Sequence, residues 1–338
     1  MHSTYSDGTA TVPELLAAAR AARADALLLT DHDTLGAKRD GWEGRHDGVL
    51  LIVGHEISTR GGHLLAFGTA AEIPHHDRTE DELCADVAAA GGFGIAAHPF
   101  SRGWRVSRTI GRPHPWGALG APGCVGLELW SLATDEAETW TSPRQAWRAL
   151  RDPRVIDGPP ERHLRLYDAL CARRRMVAVG GLDAHQQGVR IRGRVRSIMP
   201  HARWFGLLRT QVLLDRPPDD GAAVLAAVRA GRCYLARIDL APTTGFAFTG
   251  RAQDGRALRM GEEGRFAAAA GDEAPAAAWR LEARVPRPAR LRLLCDGRVV
   301  ATGAGRTLGH DARVPGAYRV EALLGARRWI VSNPVYLR

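Results

Sequence analysis

Histidine and carboxylate side chains gather in short segments of this sequence, and most of these segments directly follow a run of apolar residues. Imidazole and carboxylate groups without thiolate suit Zn, Mn or Fe, and one carboxylate can bridge two ions. Any single histidine is more simply a surface or core residue, but burying the whole set without cations would leave costly unpaired charges. A centre of divalent metal ions is therefore the favoured interpretation. The candidate residues are His2, Asp7, His32, Glu56, His63, His98, Asp183 and His185.

The elements that must position these residues are strands, because strand-length apolar runs alternate with amphipathic helical stretches up to about residue 237. This pattern is typical of parallel strands joined by helices. In a barrel of such strands the carboxyl ends converge on one mouth, where residues distant in sequence meet. Asp183 and His185 are two residues apart, so in an extended segment both can face that mouth. The predicted strands are Ala26 to Thr30, Val49 to Val53, Leu64 to Phe67, Gly94 to Ala97, Val125 to Leu129, Met176 to Val179 and Thr210 to Leu214.

The sequence after about residue 244 has a different periodicity. Apolar and polar residues alternate from Trp279 to Val285, which is typical of a half-buried strand. The dipeptide Asp296-Gly297 between two apolar runs predicts a hairpin with a tight turn. We therefore expect two domains: an α/β barrel over residues 1–238 and a small antiparallel β-sandwich over residues 239–338.

Length and composition exclude several classes of protein. The 338 residues, 45% hydrophobic and 25% charged, are those of a folded globular protein, and no apolar run reaches the roughly 20 residues that cross a bilayer. The net charge of +9 comes from arginines dispersed among acidic residues, with Lys38 the only lysine, so sequence-specific nucleic-acid binding is not expected. Five scattered cysteines without a Cys-x-x-Cys pair argue against disulfides and a thiolate zinc site. We expect a reducing, cytoplasmic setting.

Five ordered motifs in this sequence resemble those of the polymerase and histidinol phosphatase (PHP) superfamily of metal-dependent hydrolases. They are His-Ser-Thr-Tyr-Ser-Asp-Gly at residues 2–8, Thr-Asp-His-Asp-Thr at 30–34, Gly-His-Glu-Ile-Ser at 54–58, Ala-His-Pro-Phe at 97–100 and Leu-Asp-Ala-His at 182–185. The resemblance extends over about residues 2–237 and implies a distorted seven-stranded (β/α) barrel that holds two or three Mn, Zn or Fe ions. It also implies three ligand sets: His2, Glu56 and Asp183; Glu56, His63 and His98; and Asp7, His32 and His185.

One departure from the family pattern concerns the start of the sequence. The family motif opens with His-x-His after a strand, and Met1 stands at the middle position, so the first histidine is absent. We expect this histidine and its strand to lie upstream, because the other ligands all survive and a barrel lacking its first strand would expose sheet edges. A chain that begins at Met1 is expected to bind metal more weakly and to have low activity.

The expected reaction is hydrolysis of a small phosphorylated substrate by metal-activated hydroxide, with Glu56, Asp183 and His185 acting in it directly. Residues 225–235 and 332–336 resemble the carbaryl-hydrolase-like subgroup of these enzymes, which appends a β-domain to the barrel. The resemblance to that subgroup widens the expected substrates to carbamates, esters or amides.

Several residues near the motifs are candidates for supporting roles. Arg190 and Arg192 could hold a phosphate, although a solvated strand edge explains them as well, and Glu128 could contact substrate or a ligand. Asp31 and Asp33 flank a candidate ligand and could orient it or cap a loop. A loop rich in proline and glycine that carries Arg102, Arg105 and His114 is a candidate lid.

Two other functions stay open. The chain could be a binding module in which metals only stabilise the barrel, or a nuclease that acts on short oligonucleotides. A small-molecule substrate is the expected partner, and the sequence does not predict the oligomeric state. Six further histidines have no consistent placement and are interpreted as surface residues: His55, His75, His76, His163, His201 and His310.

Overall fold

The computed structural model describes residues 1–103, 113–117, 119, 121, 123–151, 157–186, 188–191, 194–197, 200–266 and 278–338, with the backbone alone at 149–151, 188–191 and 194–197. Its strands form two sheets and one separate hairpin. The predicted fold class is confirmed, because a curled α/β sheet in the first part of the chain is followed by an antiparallel sheet.

The first sheet is mixed rather than purely parallel. Its strands are β1 (Ala26–His32), β2 (Gly44–His46), β3 (Val49–Ser58), β4 (His63–Phe67), β5 (Phe93–Ala97), β6 (Cys124–Ser131) and β7 (Val177–Gly181). They follow the order β1-β3-β4-β5-β6-β7, and β2 forms a short hairpin with β3. The expectation of parallel strands is wrong for β4, which runs antiparallel to β3 and β5, because a tight turn from Thr59 to Gly62 sends the chain straight back.

The two ends of the first sheet are linked by the first residues of the chain. The main-chain N–H of Thr30 in β1 donates to the carbonyl of Met1 at 3.0 Å, and the N–H of His2 donates to the carbonyl of Ala184, beyond β7, at 3.3 Å. Residues 1–2 therefore lie between β1 and the segment that follows β7, which curls the sheet toward a barrel. This places His2 at the mouth.

Helix α3 (Glu80–Ala89) begins at a capping residue that the sequence provides. At the start of α3, the hydroxyl of Thr79 accepts a hydrogen bond from the N–H of Glu82, while the Glu82 carboxylate accepts one from the N–H of Thr79, which is a capping box. The helices are α1 (Val12–Ala21), α2 (Gly36–Arg39), α3 (Glu80–Ala89), α4 (Leu132–Thr139), α5 (Pro143–Arg151), α6 (Glu161–Arg173), α7 (His201–Trp204) and α8 (Gly221–Arg229).

The second sheet includes strands that come before the predicted domain boundary at residue 238. The strand predicted at Thr210 to Leu214 is present as β10 (Leu208–Val212), but it pairs with β11 (Cys233–Arg237), and β11 pairs with β18 (Arg327–Ser332) rather than with the first sheet. The domain boundary at residue 238 stays a prediction. The remaining strands are a separate hairpin, β8 (Gly188–Ile191) and β9 (Arg194–Ser197), and the second sheet, β10 (Leu208–Val212), β11 (Cys233–Arg237), β12 (Ala247–Arg251), β13 (Ala257–Arg259), β14 (Glu263–Gly264), β15 (Trp279–Cys295), β16 (Arg298–Ala312), β17 (Gly316–Leu324), β18 (Arg327–Ser332) and β19 (Val335–Leu337).

A buried set of charged residues, which we call the ion network, joins α6 to the second sheet. Arg319 of β17 donates two hydrogen bonds to the carboxylate of Asp168 in α6, and a third to Glu321 at 2.7 Å. Arg328 donates to the other oxygen of Glu321 at 3.2 Å, and Arg292 lies 3.5 Å from it. Every carboxylate oxygen of Asp168 and Glu321 therefore faces a guanidinium group, which is the arrangement that makes burial of such charges tolerable.

All five cysteines are free and buried: Cys84, Cys124, Cys171, Cys233 and Cys295. Within the described residues, no helix combines the length and the apolar character needed to cross a membrane.

Candidate metal centre

The candidate ligands lie at one end of the first sheet, and the strand directions explain why. His32 ends β1 and Glu56 lies near the end of β3, while His98 follows β5 by one residue and Asp183 follows β7 by two. His63 is the first residue of β4, but β4 runs antiparallel, so its beginning lies beside the end of β3. The change of direction at β4 therefore brings His63 to the same mouth as the other residues.

Glu56 lies between two groups of these side chains. Its Oε2 atom is 3.3 Å from Nε2 of His2, and that nitrogen is 3.5 Å from Oδ1 of Asp183. Its Oε1 atom is 2.8 Å from Nδ1 of His63 and 3.3 Å from Nε2 of His98. A carboxylate with one oxygen toward each group has the placement that a bridging ligand requires.

Asp7 centres a third group on the open side of the cluster. Its Oδ1 atom lies 3.3 Å from Nε2 of His185, 3.7 Å from Nδ1 of His2 and 4.0 Å from Nε2 of His32. The side chain of Asp7 is 56% exposed, whereas that of His2 is fully buried. The cluster therefore has a buried floor and opens to solvent beside Asp7.

The predicted ligand sets agree with these groups in most members. Three groups have ligand atoms within 4.8 Å of one another: His2, Asp7, His32 and His185; His32, Glu56 and His63; and His2, Glu56 and Asp183. The first group contains the predicted set of Asp7, His32 and His185, with His2 added. The last group is identical to the predicted set of His2, Glu56 and Asp183. The tight group around His63 contains His32 in place of His98, although His98 also lies within reach of Glu56. The assignment of each residue to an ion stays a prediction.

Several buried polar atoms of the cluster face one another without a hydrogen-bond partner, whereas Nδ1 of His63 and Nε2 of His98 lie within hydrogen-bond distance at 3.2 Å. Both ring nitrogens of His2, Nδ1 of His32, Oε1 of Glu56 and Nδ1 of His98 are buried and have no hydrogen-bond partner. Buried polar atoms are normally paired, because an unpaired one costs free energy. Nitrogen and oxygen lone pairs that converge on shared space fit divalent cations, so the residues present fit the metals that the sequence predicts.

The pKa shifts show how the cluster balances its charge without cations. Burial alone would lower the pKa of His2, but contacts with Asp183 and Glu56 outweigh it and raise the pKa to about 9. For the same reason the pKa of His98 rises to about 10. Burial favours the neutral form of Asp7, yet the facing imidazoles lower its pKa to about 2, and they also lower the pKa of Glu56 and Asp183. Cations would replace the protons on these imidazoles.

Two candidate ligands have backbone conformations that non-glycine residues rarely adopt. His98 has a φ angle of 28° and Asp183 one of 48°. Such conformations cost of order 1–3 kcal/mol each and are found where surrounding contacts enforce them, often at functional sites. The neighbours of these two residues therefore contribute to the site.

Asp31 and Asp33 hold loops rather than ligand side chains. Asp31 accepts hydrogen bonds from the N–H and hydroxyl of Ser3 at 2.6 and 2.7 Å and from the hydroxyl of Ser6 at 2.7 Å. Asp33 accepts two hydrogen bonds at 2.7 Å from the N–H and hydroxyl of Ser58. Asp31 thus fixes the loop between two candidate ligands, and Asp33 ties the end of β1 to the end of β3.

Thr134 and Glu128 also support the cluster. The hydroxyl of Thr134, in the first turn of α4, donates a hydrogen bond to the Asp183 carboxylate, a contact that the sequence did not indicate. Glu128 is buried and accepts the main-chain N–H of His98 at 3.0 Å, and burial raises the pKa of this carboxyl to about 7. The structure thus places Glu128 behind the ligands, and its contact with substrate stays a prediction.

The loop after His98 lies over one side of the cluster. One oxygen of Glu138 in α4 accepts hydrogen bonds from the hydroxyl of Ser101 at 2.6 Å and from the N–H groups of Arg102 and Gly103 at 2.7 and 2.9 Å. The ring of His114 stacks on His63 with the ring centroids 4.7 Å apart. His114 was predicted only as part of a lid, and the structure brings it to the rim.

Other predicted residues are not placed at the cluster. Arg105 and Arg192 lie outside the described residues, and at Arg190 only the backbone in β8 is described. The interpretation of His55, His163 and His201 as surface residues is wrong, because all three are buried. Isolated histidines carry no pattern that distinguishes these cases.

Comparisons with known proteins give distant structural similarities. No family model and no curated protein matches this chain. A two-domain protein from Bacteroides vulgatus that contains a predicted PHP-like metal-dependent phosphoesterase is similar over 99% of this chain and 93% of its own, at 16% identity and a TM-score of 0.40. A candidate metal-dependent phosphoesterase from Bifidobacterium adolescentis is similar over 57% of this chain and 87% of its own, at 19% identity and a TM-score of 0.36.

Proposed function

We propose that this chain is a metal-dependent hydrolase that acts as a phosphoesterase on a small phosphorylated substrate, with two or three divalent ions held by the eight clustered residues. The observation that carries the proposal is the placement of Glu56, whose two oxygens face different ligand groups 3.3 Å and 2.8 Å away. The resemblance of the five ordered motifs to the PHP superfamily supports the same conclusion.

Bound divalent cations would polarise a substrate oxygen and lower the pKa of water toward neutrality. The chain's own residues prepare the site for this chemistry. Glu56 and Asp183 supply negative charge at the buried floor, and His185 lies beside the open side, where Asp7 is exposed and a substrate can enter. We assign Glu56, Asp183 and His185 the direct roles in the reaction.

The test is hydrolysis of a chromogenic phosphodiester by protein that has been stripped with a chelator and then reloaded with Mn or Zn. Turnover that depends on the metal and disappears in Glu56→Gln is the expected result. A chromogenic carbamate assayed in parallel separates the phosphoesterase from a carbamate hydrolase. Metal binding without turnover of either compound would replace the proposal with a metal-stabilised binding module.

A further inference from the structure

The edge of β7 that faces away from β6 is covered by side chains instead of a strand. β7 pairs with β6 along its other edge. Toward the second sheet, the main-chain groups of Met176, Ala178 and Gly180, which are alternate residues, each meet a side chain from one of its strands or from the segment between β18 and β19. We call these three side chains, from Tyr336, Asn333 and Thr210, the side-chain ladder.

Each member of the side-chain ladder both accepts and donates a hydrogen bond, as a strand residue would. The Thr210 hydroxyl accepts the N–H of Gly180 and donates to its carbonyl, both at 2.9 Å. The Asn333 amide accepts the N–H of Ala178 at 2.7 Å and donates to its carbonyl at 2.9 Å.

Tyr336 completes the side-chain ladder at the start of β7. Its hydroxyl accepts the N–H of Met176 at 2.9 Å and donates to its carbonyl at 3.0 Å. Asn333 and Tyr336 are buried, so these bonds are shielded from water. Removing a buried partner would leave main-chain groups unpaired, which costs more than the bond itself contributes.

The strand that the side-chain ladder holds leads directly to two candidate ligands. Gly180 precedes Asp183 by three residues, and Asp183 has the left-handed backbone described above. A Cβ atom at Gly181 would lie 1.6 Å from Oε1 of Glu128, so the Glu128 carboxylate packs directly against the backbone of this segment. The two hydrogen bonds between Thr210 and Gly180 are thus the last contacts of the side-chain ladder before the candidate ligands Asp183 and His185.

We propose that Thr210, Asn333 and Tyr336 are positioning residues for Asp183 and His185, and that the second sheet serves to hold the metal centre in shape. The proposal rests on the proposed function only in taking these two residues as metal ligands. The proposal gives the second sheet a role within the chain itself, because these three side chains form hydrogen bonds to β7 and to Met176 just before it.

The experiment compares Thr210→Val, which keeps the shape but removes both hydrogen bonds, with Thr210→Ser, which keeps the hydroxyl. Thr249→Val on β12 is the matched control, because Thr249 is exposed and lies in the same sheet. The readouts are the affinity for Mn or Zn by titration calorimetry, and hydrogen exchange of residues 180–186 in the metal-free protein.

We expect Thr210→Val to weaken metal binding about 10-fold and to speed exchange of this segment, while Thr210→Ser and Thr249→Val stay close to the parent protein. Thermal destabilisation of Thr210→Val with unchanged metal affinity and unchanged exchange would overturn the proposal, since the ladder would then be merely structural. If the parent protein binds no metal, the proposed function fails and so does the link to a metal centre, and the exchange measurement then decides only whether the side-chain ladder orders residues 180–186. If it binds metal but turns over no ester, only the proposed function fails.

Discussion

The candidate metal centre and the ion network both bury carboxylates, but they surround them with different partners. In the ion network the oxygens of Asp168 and Glu321 accept hydrogen bonds from guanidinium groups. In the candidate metal centre the buried Oε1 of Glu56 has two ring nitrogens nearby, from His63 at 2.8 Å and His98 at 3.3 Å, and no hydrogen-bond partner. The difference teaches that a buried carboxylate is structural when its oxygens are paired and a candidate ligand when they converge on shared space.

The strongest test of the difference between the two clusters is whether Glu56 is a shared metal ligand. We expect Glu56→Gln to lower kcat by about 1000-fold or more, because several kcal/mol of electrostatic stabilisation are lost with the charge. Metal affinity should fall with it, while the circular dichroism spectrum is retained. Activity within a few-fold of the parent protein would show that the reaction does not use this carboxylate.

The ion network should respond in the opposite way. Arg319→Met leaves Asp168 and Glu321 without their main partner, and we expect it to lower the free energy of unfolding by about 3–5 kcal/mol. Metal affinity per folded molecule should not change. Chemical denaturation measures the first effect and titration calorimetry the second, and a loss of metal affinity would mean that the two clusters are coupled.

Added metal should stabilise the folded chain by binding at the candidate metal centre and not at the ion network. At a free metal concentration of 100 times Kd, the expected gain in the free energy of unfolding is about 2.7 kcal/mol. Thermal unfolding with and without a chelator measures it. Arg319→Met should keep this gain and Glu56→Gln should lose it, so an equal gain in both variants would contradict the separation of the clusters.

The pH dependence of stability should differ between metal-free and metal-loaded protein. The pKa of His2 is raised to about 9 and that of His98 to about 10 in the folded chain, from an ordinary value of 6.5. A raised pKa contributes stability that is complete below the unfolded value and is lost as pH rises through the folded value. Urea denaturation should therefore show metal-free stability declining from pH 7 to pH 10, and a flat profile would contradict this.

The smallest effect is expected at a histidine outside both clusters. His310 lies on β16, with its ring centroid 6.4 Å from that of Tyr318. We expect His310→Ala to change stability by less than about 0.5 kcal/mol and to leave turnover unaltered. This variant serves as the control for Glu56→Gln in the same assays, and a similar loss in both would point to a nonspecific effect.

The clustering of the candidate ligands could be predicted from the sequence far better than the ion network. Glu56 and His98 come next to the ends of apolar runs, and strand ends meet at one mouth, so their proximity follows from local pattern. Arg319 and Glu321 sit in a run that alternates with apolar residues, and such arginines were expected on solvated faces, yet Arg319 is buried. A sequence shows which residues alternate along a strand, but not which element will cover them.

The pairing of strands also could not be predicted from the local sequence pattern. The strand around Thr210 was predicted correctly in type, but it joined the second sheet, because periodicity identifies a strand without identifying its neighbour. The same limit hid the contacts of Thr134 and Asn333, whose hydrogen bonds join elements far apart in the chain. Those contacts depend on tertiary packing that no short segment encodes.

Because all five cysteine thiols are buried, their reactivity reports local unfolding of the chain. Cys84 and Cys124 lie in elements of the first sheet and its helices, whereas Cys295 ends the long strand β15. A thiol reagent can modify each site only after the surrounding element has opened. Pulsed alkylation followed by peptide mass analysis would therefore time the unfolding of the two sheets separately, with no engineered label and no change to the residues at the mouth.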